Sequence, residues 1–117
     1  MGKIILEKMQ FYAYHGFFDE EQLVGANYEL TLALDLDISL PGRTDELTDT
    51  LNYQAVYDVV KEQMDIKSRL VEHVAQRIID RLRAEFPQIQ HIELSLSKLN
   101  PPLGGQVERV TIQLSTP

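Results

Sequence analysis

Cysteine is absent from the 117 residues, which removes disulfides, thiol nucleophiles and every zinc site built on thiolate. Histidine is scarce. His15, His73 and His91 are the full set, and none of them stands at His-x-His or His-x-x-x-His spacing, so no metal is expected. Positive charge is also short: 11 Lys and Arg stand against 18 Asp and Glu, a net charge of −7 with no basic cluster. A nucleic-acid binder needs clustered cations to neutralise phosphate, and that class is disfavoured. No apolar run is long enough for a signal peptide or a membrane span. Met1-Gly2 is followed by Leu6 where a myristoylation motif needs Ser or Thr. Neither a Gly-x-Ser-x-Gly elbow nor a phosphate-binding glycine loop occurs, and there is no internal repeat. The expectation is one cytoplasmic domain over 1–117, with a modest core of its own.

Hydrophobic alternation supplies the outline. From Tyr28 to Leu40 every even position is apolar, and every odd one except Ala33 is polar, which predicts a long half-buried strand. Lys3 to Tyr14 predicts another, with Ile5, Met9, Phe11 and Ala13 on one face. The connection His15–Asn27 is short enough for an antiparallel hairpin. Pro41-Gly42 is expected to end the second strand. Asn52 is a plausible N-cap for a helix from about Tyr53 to Met64, and Ser68 for a second over about 69–86. Two more strands are expected at about 90–99 and 107–115. The order β-β-α-α-β-β predicts an α+β domain, with the helices on one face of an antiparallel sheet. Four long strands leave open edges, which predicts a homo-oligomer that closes the sheet with copies of itself.

Four positions could carry chemistry, each with a plain structural alternative. Lys98 continues the inward parity of Ile92, Leu94 and Leu96 just before Pro101-Pro102. It is either a lysine whose stem lies on apolar surface or a partly desolvated proton-exchanging amine. Glu72 borders the apolar stripe of its helix, near the N-terminus. It is either a dipole-favoured carboxylate or the anchor for a planar edge with two N–H donors. Glu21 lies in "HGFFDEEQLVG", among acids that are usually only solvated. The neighbouring Tyr12, Tyr14, Phe17 and Phe18 could fill a core or stack on a flat ligand. Tyr53, at a helix start, is core filler by default.

Taken together, the blocks "FYAYHGFFDEEQLVGANY", "GRTDELTDTLNY", "RLVEHVAQRI" and "SKLNPP" resemble the dihydroneopterin aldolases of folate biosynthesis, from about Ile5 to Leu114. The resemblance implies the tunnelling fold, four copies closing a barrel, and two such rings stacking into an octamer. It implies a lyase that splits 7,8-dihydroneopterin into 6-hydroxymethyl-7,8-dihydropterin and glycolaldehyde, using no metal, cofactor or Schiff base. By motif position, Lys98 matches the catalytic lysine and Glu21 the glutamate near the substrate side chain. Tyr53 matches a tyrosine contributed by the neighbouring subunit, and Glu72 matches the pterin anchor. The backbones of Val71 and Leu51 would add hydrogen bonds to the pterin.

Two departures stand out. Leu103-Gly104-Gly105 replaces a common Ile-Pro-Gly, and Val71 replaces a common leucine. The rival readings are an epimerase of dihydroneopterin or its triphosphate, and a non-catalytic pterin-binding module. The first shares fold and anchor; the second would need Glu72 but not Glu21, Tyr53 and Lys98 together. The zinc-dependent pyruvoyl-tetrahydropterin synthase relatives need a histidine triad that this sequence lacks.

Overall fold

A computed structural model describes residues 1–117. Four strands, β1 (Gly2–Ala13), β2 (Ala26–Leu36), β3 (His91–Leu99) and β4 (Arg109–Ser115), form one antiparallel sheet in sequence order. The molecule is elongated, 53 × 24 × 24 Å. Helices α3 (Tyr53–Met64) and α4 (Val71–Glu85) cover one face, as the pattern predicts. Short helices α1 (Asp19–Val24) and α2 (Ser39–Thr44) lie in the connections. No helix is long and apolar enough to cross a membrane.

The core follows from period 2 meeting period 3.6. Leu30, Leu32 and Leu34 of β2 stand opposite Leu96, Leu94 and Ile92 of β3, and all six are at most 1% exposed. Val56 and Val60 of α3 and Val74, Ile78 and Leu82 of α4 close over them, each fully buried. Each such side chain contributes about 1.5–3 kcal/mol by leaving water.

Three expectations are corrected. β2 ends at Leu36, not near Leu40: the Asp37 carboxylate accepts the Ser39 N–H at 2.9 Å and turns the chain into α2. Ile5 lies on the outer face of β1, 46% exposed, while Ile4 and Leu6 pack inward. A bulge between Leu6 and Met9 reverses the parity. Lys8 sits in it at φ 54°, its N–H donating to Thr31 Oγ1 at 3.1 Å. Helix α4 begins two residues after the expected start, with Leu70 as N-cap, and Ser68 is engaged elsewhere. The Asn52 cap does form, accepting the Gln54 N–H at 3.0 Å.

Candidate active site

Lys98 lies opposite Tyr28 of β2 and Val110 of β4. Strand parity turns it to the helix-covered face, but at the end of β3, where the core runs out. There the ammonium meets a carboxylate: Lys98 Nζ donates to Glu21 Oε2 at 2.5 Å, the side chains 12% and 21% exposed. Partly shielded from water, the two charges attract each other more strongly than an exposed pair does, against the cost of desolvating both. The Lys98 hydrogen bond holds the Glu21 carboxyl below its ordinary range against a burial effect that raises it, and the Phe18 N–H, donating to Glu21 Oε1 at 3.4 Å, adds to the lowering. Glu21 is therefore a carboxylate at neutral pH.

The pair lines a cavity of about 470 Å³. Val71 and Glu72, from the first turn of α4, line it too. Apolar walls come from Phe18, from Pro101 in the β3–β4 connection, and from Val110 and Ile112. Glu72 makes no hydrogen bond or ion pair within the chain, so its two oxygens are free to accept from a ligand. A flat heterocycle with adjacent N–H donors fits such a carboxylate. Lys98 and Glu21 line the same cavity, an ammonium donor beside a carboxylate acceptor, and such a pair can exchange protons with a bound molecule. Nowhere in the chain do three His, Asp or Glu side chains gather as a metal would need.

Of the residues singled out in the sequence, Lys98, Glu21, Glu72 and Val71 thus meet at one cavity. Tyr53 and Leu51 do not reach it in a single chain. Tyr53 is 64% exposed at the start of α3, and Leu51 is buried in the core. Sequence reasoning missed Val110 and Ile112 as cavity walls. Their alternation in β4 was visible, but the pairing of Val110 with Lys98 was not.

It also missed how Glu21 is held. Gly16 lies against the Glu21 side chain so closely that an added Cβ would stand 2.3 Å from Glu21 Cβ. His15, 1% exposed, accepts the Ser68 N–H on Nδ1 at 3.2 Å and packs edge-on against Tyr28, ring centroids 5.3 Å apart. Because Nδ1 accepts, the neutral ring carries its proton on Nε2, which has no hydrogen-bond partner. Burial first, then the Arg77 charge, push His15 down to about 4. The Tyr28 hydroxyl, donating to the His15 carbonyl at 3.0 Å, is pushed up to about 12 by burial and by the Glu21 charge.

The family model described as dihydroneopterin aldolase (FolB) matches residues 4–115. The dihydroneopterin aldolase of Streptococcus pyogenes serotype M6 is 40% identical over 115 residues, 97% of each chain. That of Bacillus subtilis is 35% identical over 116 residues, 98% of this chain and 97% of its own. The Escherichia coli dihydroneopterin aldolase crystallised with neopterin superposes over the full length of both chains, with a TM-score of 0.92 at 20% identity, a likeness of fold. The family model over residues 4–115 and relatives 35–40% identical over nearly the whole chain lead to one assignment: this chain belongs to the dihydroneopterin aldolase family.

Proposed function

We propose that the chain cleaves 7,8-dihydroneopterin into 6-hydroxymethyl-7,8-dihydropterin and glycolaldehyde, as a cytoplasmic step of folate biosynthesis. The observation that carries this is the Lys98–Glu21 pair sharing a cavity with the unpartnered Glu72. Glu72 accepts from the 2-amino and N3 positions of the pterin, and the Val71 backbone adds a bond. The trihydroxypropyl side chain then lies toward Lys98 and Glu21.

The reaction balances within the substrate. The 2′-hydroxyl loses its proton, the C1′–C2′ bond breaks, and the electron pair enters the ring imine. A proton returned to C1′ completes the hydroxymethyl product, while C2′ and C3′ leave as glycolaldehyde. The pterin is its own electron sink, so the protein's part is placement and proton transfer. Lys98 and Glu21 exchange those protons through water.

Tyr53 and the Leu51 backbone act from a neighbouring copy. The exposure of Tyr53 and the two open sheet edges, β1 and β4, support an assembly in which the sheet continues from chain to chain. The expected form is a four-copy barrel, alone or stacked as an octamer.

Incubation of the purified protein with 7,8-dihydroneopterin, products separated by chromatography and weighed, tests the reading. Equal amounts of the two products are expected. A same-mass isomer alone would replace the aldolase with an epimerase, and unchanged bound substrate would leave a pterin-binding module.

A further inference from the structure

Glu21 sits on a helix that cannot place itself. Helix α1 is six residues long and buries none of them, so its position comes from ties at its ends. At its start, segment 15–16 is joined to Ser68 by two bonds. The Gly16 N–H donates to the Ser68 carbonyl at 2.9 Å, and the Ser68 N–H donates to His15 Nδ1 at 3.2 Å. Ser68 is itself fixed: Arg77 of α4 donates from Nη1 to Ser68 Oγ at 2.7 Å. The same guanidinium donates to the Gln63 side chain at 2.8 Å and to the carbonyls of Gln63 and Ile66 at 2.7 and 3.0 Å. The end of α3, the connection and α4 are one bracket, and Val71 and Glu72 follow directly from it.

We propose that His15 is a positioning residue, whose Nδ1 locks the Glu21-bearing loop onto the bracket that carries Glu72 and so fixes Glu21 against Lys98. Residue 15 reaches both sides of the site. Its carbonyl accepts from Tyr28, which stands opposite Lys98, and its ring accepts from Ser68, three residues before Val71. Its neighbour Gly16 is the surface on which the Glu21 side chain rests. Without the Nδ1 acceptor the Ser68 N–H is buried unpaired, and the lock opens where the catalytic carboxylate is seated. Gln22 Nε2, donating to the Gly16 carbonyl at 2.9 Å, holds α1 to this segment, so a shift of residues 15–16 carries Glu21 with it.

This rests on the proposed aldolase activity, and two variants test it. His15→Phe keeps a ring but removes the acceptor. His15→Asn removes the ring but places an amide oxygen where Nδ1 was, the same number of bonds from Cα. Both are assayed well below their unfolding temperatures, per folded protein. His15→Phe is expected to lower kcat by about 10- to 100-fold, with KM within about threefold, because Glu72 still anchors the pterin while the pair is misplaced by an ångström or so. His15→Asn should recover most of that loss. Wild-type kcat in His15→Phe, or an equal loss in His15→Asn, overturns the proposal, since a purely structural residue changes stability and not the rate of the folded enzyme. Crystal structures of both variants give a readout independent of turnover. Glu21 is expected to leave Lys98 in His15→Phe and to stay on it in His15→Asn, and an intact pair in His15→Phe overturns the positioning role. Should wild type fail to cleave dihydroneopterin, the proposed activity falls and these structures alone decide on His15.

Discussion

Acid separates His15 from the other groups that hold the fold. In the folded chain its pKa is pushed from 6.5 to about 4, chiefly by burial, with the charges of Arg77 from α4 and Lys98 from β3 adding to the effect. The Met64 backbone, which lies near the ring without meeting hydrogen-bond geometry, and the Asp65 charge oppose them, and Tyr28 faces the ring from β2. A depressed histidine pKa means that between pH 6.5 and about 4 the unfolded chain takes up a proton the folded chain refuses. Stability is therefore complete above pH 6.5 and falls with pH until about 4, where it levels. The full span is worth roughly 3 kcal/mol, of which about 2 kcal/mol is lost by pH 5. Glu21, held below the usual carboxylate range by Lys98, stays charged through most of this window. Urea unfolding of wild type and His15→Asn at pH 7.5, 6 and 5 isolates the effect, because the other titrating groups are common to both. Wild type is expected to lose about 2 kcal/mol more than the variant between pH 7.5 and 5. Parallel profiles would refute the reasoning and show that the buried ring is protonated without cost.

Glu72→Gln leaves the shape of the anchor but removes its charge; KM for the pterin should rise about 10- to 100-fold with kcat less affected, read from steady-state kinetics. Lys98→Met keeps the stem and removes the ammonium, and kcat should fall about 10²- to 10⁴-fold while circular dichroism is unchanged. Gly16→Ala drives a methyl into the Glu21 side chain, so kcat should fall about 100-fold with the fold retained. Leu32→Ala, at a fully buried position between β1 and β3, should cost about 2–5 kcal/mol in denaturant unfolding and leave kcat of the folded protein near wild type.

The sheet and the two long helices were legible because each buries one face, and burial writes its period into the sequence. β2 shows where that reading stops. Ile38 and Leu40 keep the alternation of the strand before them, yet Asp37 captures the Ser39 N–H and the chain leaves the sheet. A local side-chain bond outweighs two more alternating residues. β1 fails differently: the bulge at Lys8 adds one residue, and a period-2 count cannot register an added residue, so Ile5 was placed on the wrong face. Ser68 looked like a cap and instead carries the bond to His15 and the bond from Arg77. At the site, the inward turn of Lys98 followed from parity alone. Its pairing with Glu21 did not, because no local pattern links residues 77 apart; only the family resemblance brought them together. Tyr53 and Leu51 do not line the cavity of the single chain, and only the family resemblance linked them to the site.

The separation of Glu21 from Lys98 also sets a timetable. A growing chain carries its carboxylate from the first hairpin onward, but the matching ammonium arrives only with β3, after both long helices, and Val110 and Ile112 arrive later still. No chain that has lost its last two strands holds the Lys98–Glu21 pair. Formation of the Lys98–Glu21 contact during refolding is thus a marker for the docking of β3, and a chain that stalls before β3 has neither the pair nor the wall that Val110 and Ile112 give the cavity.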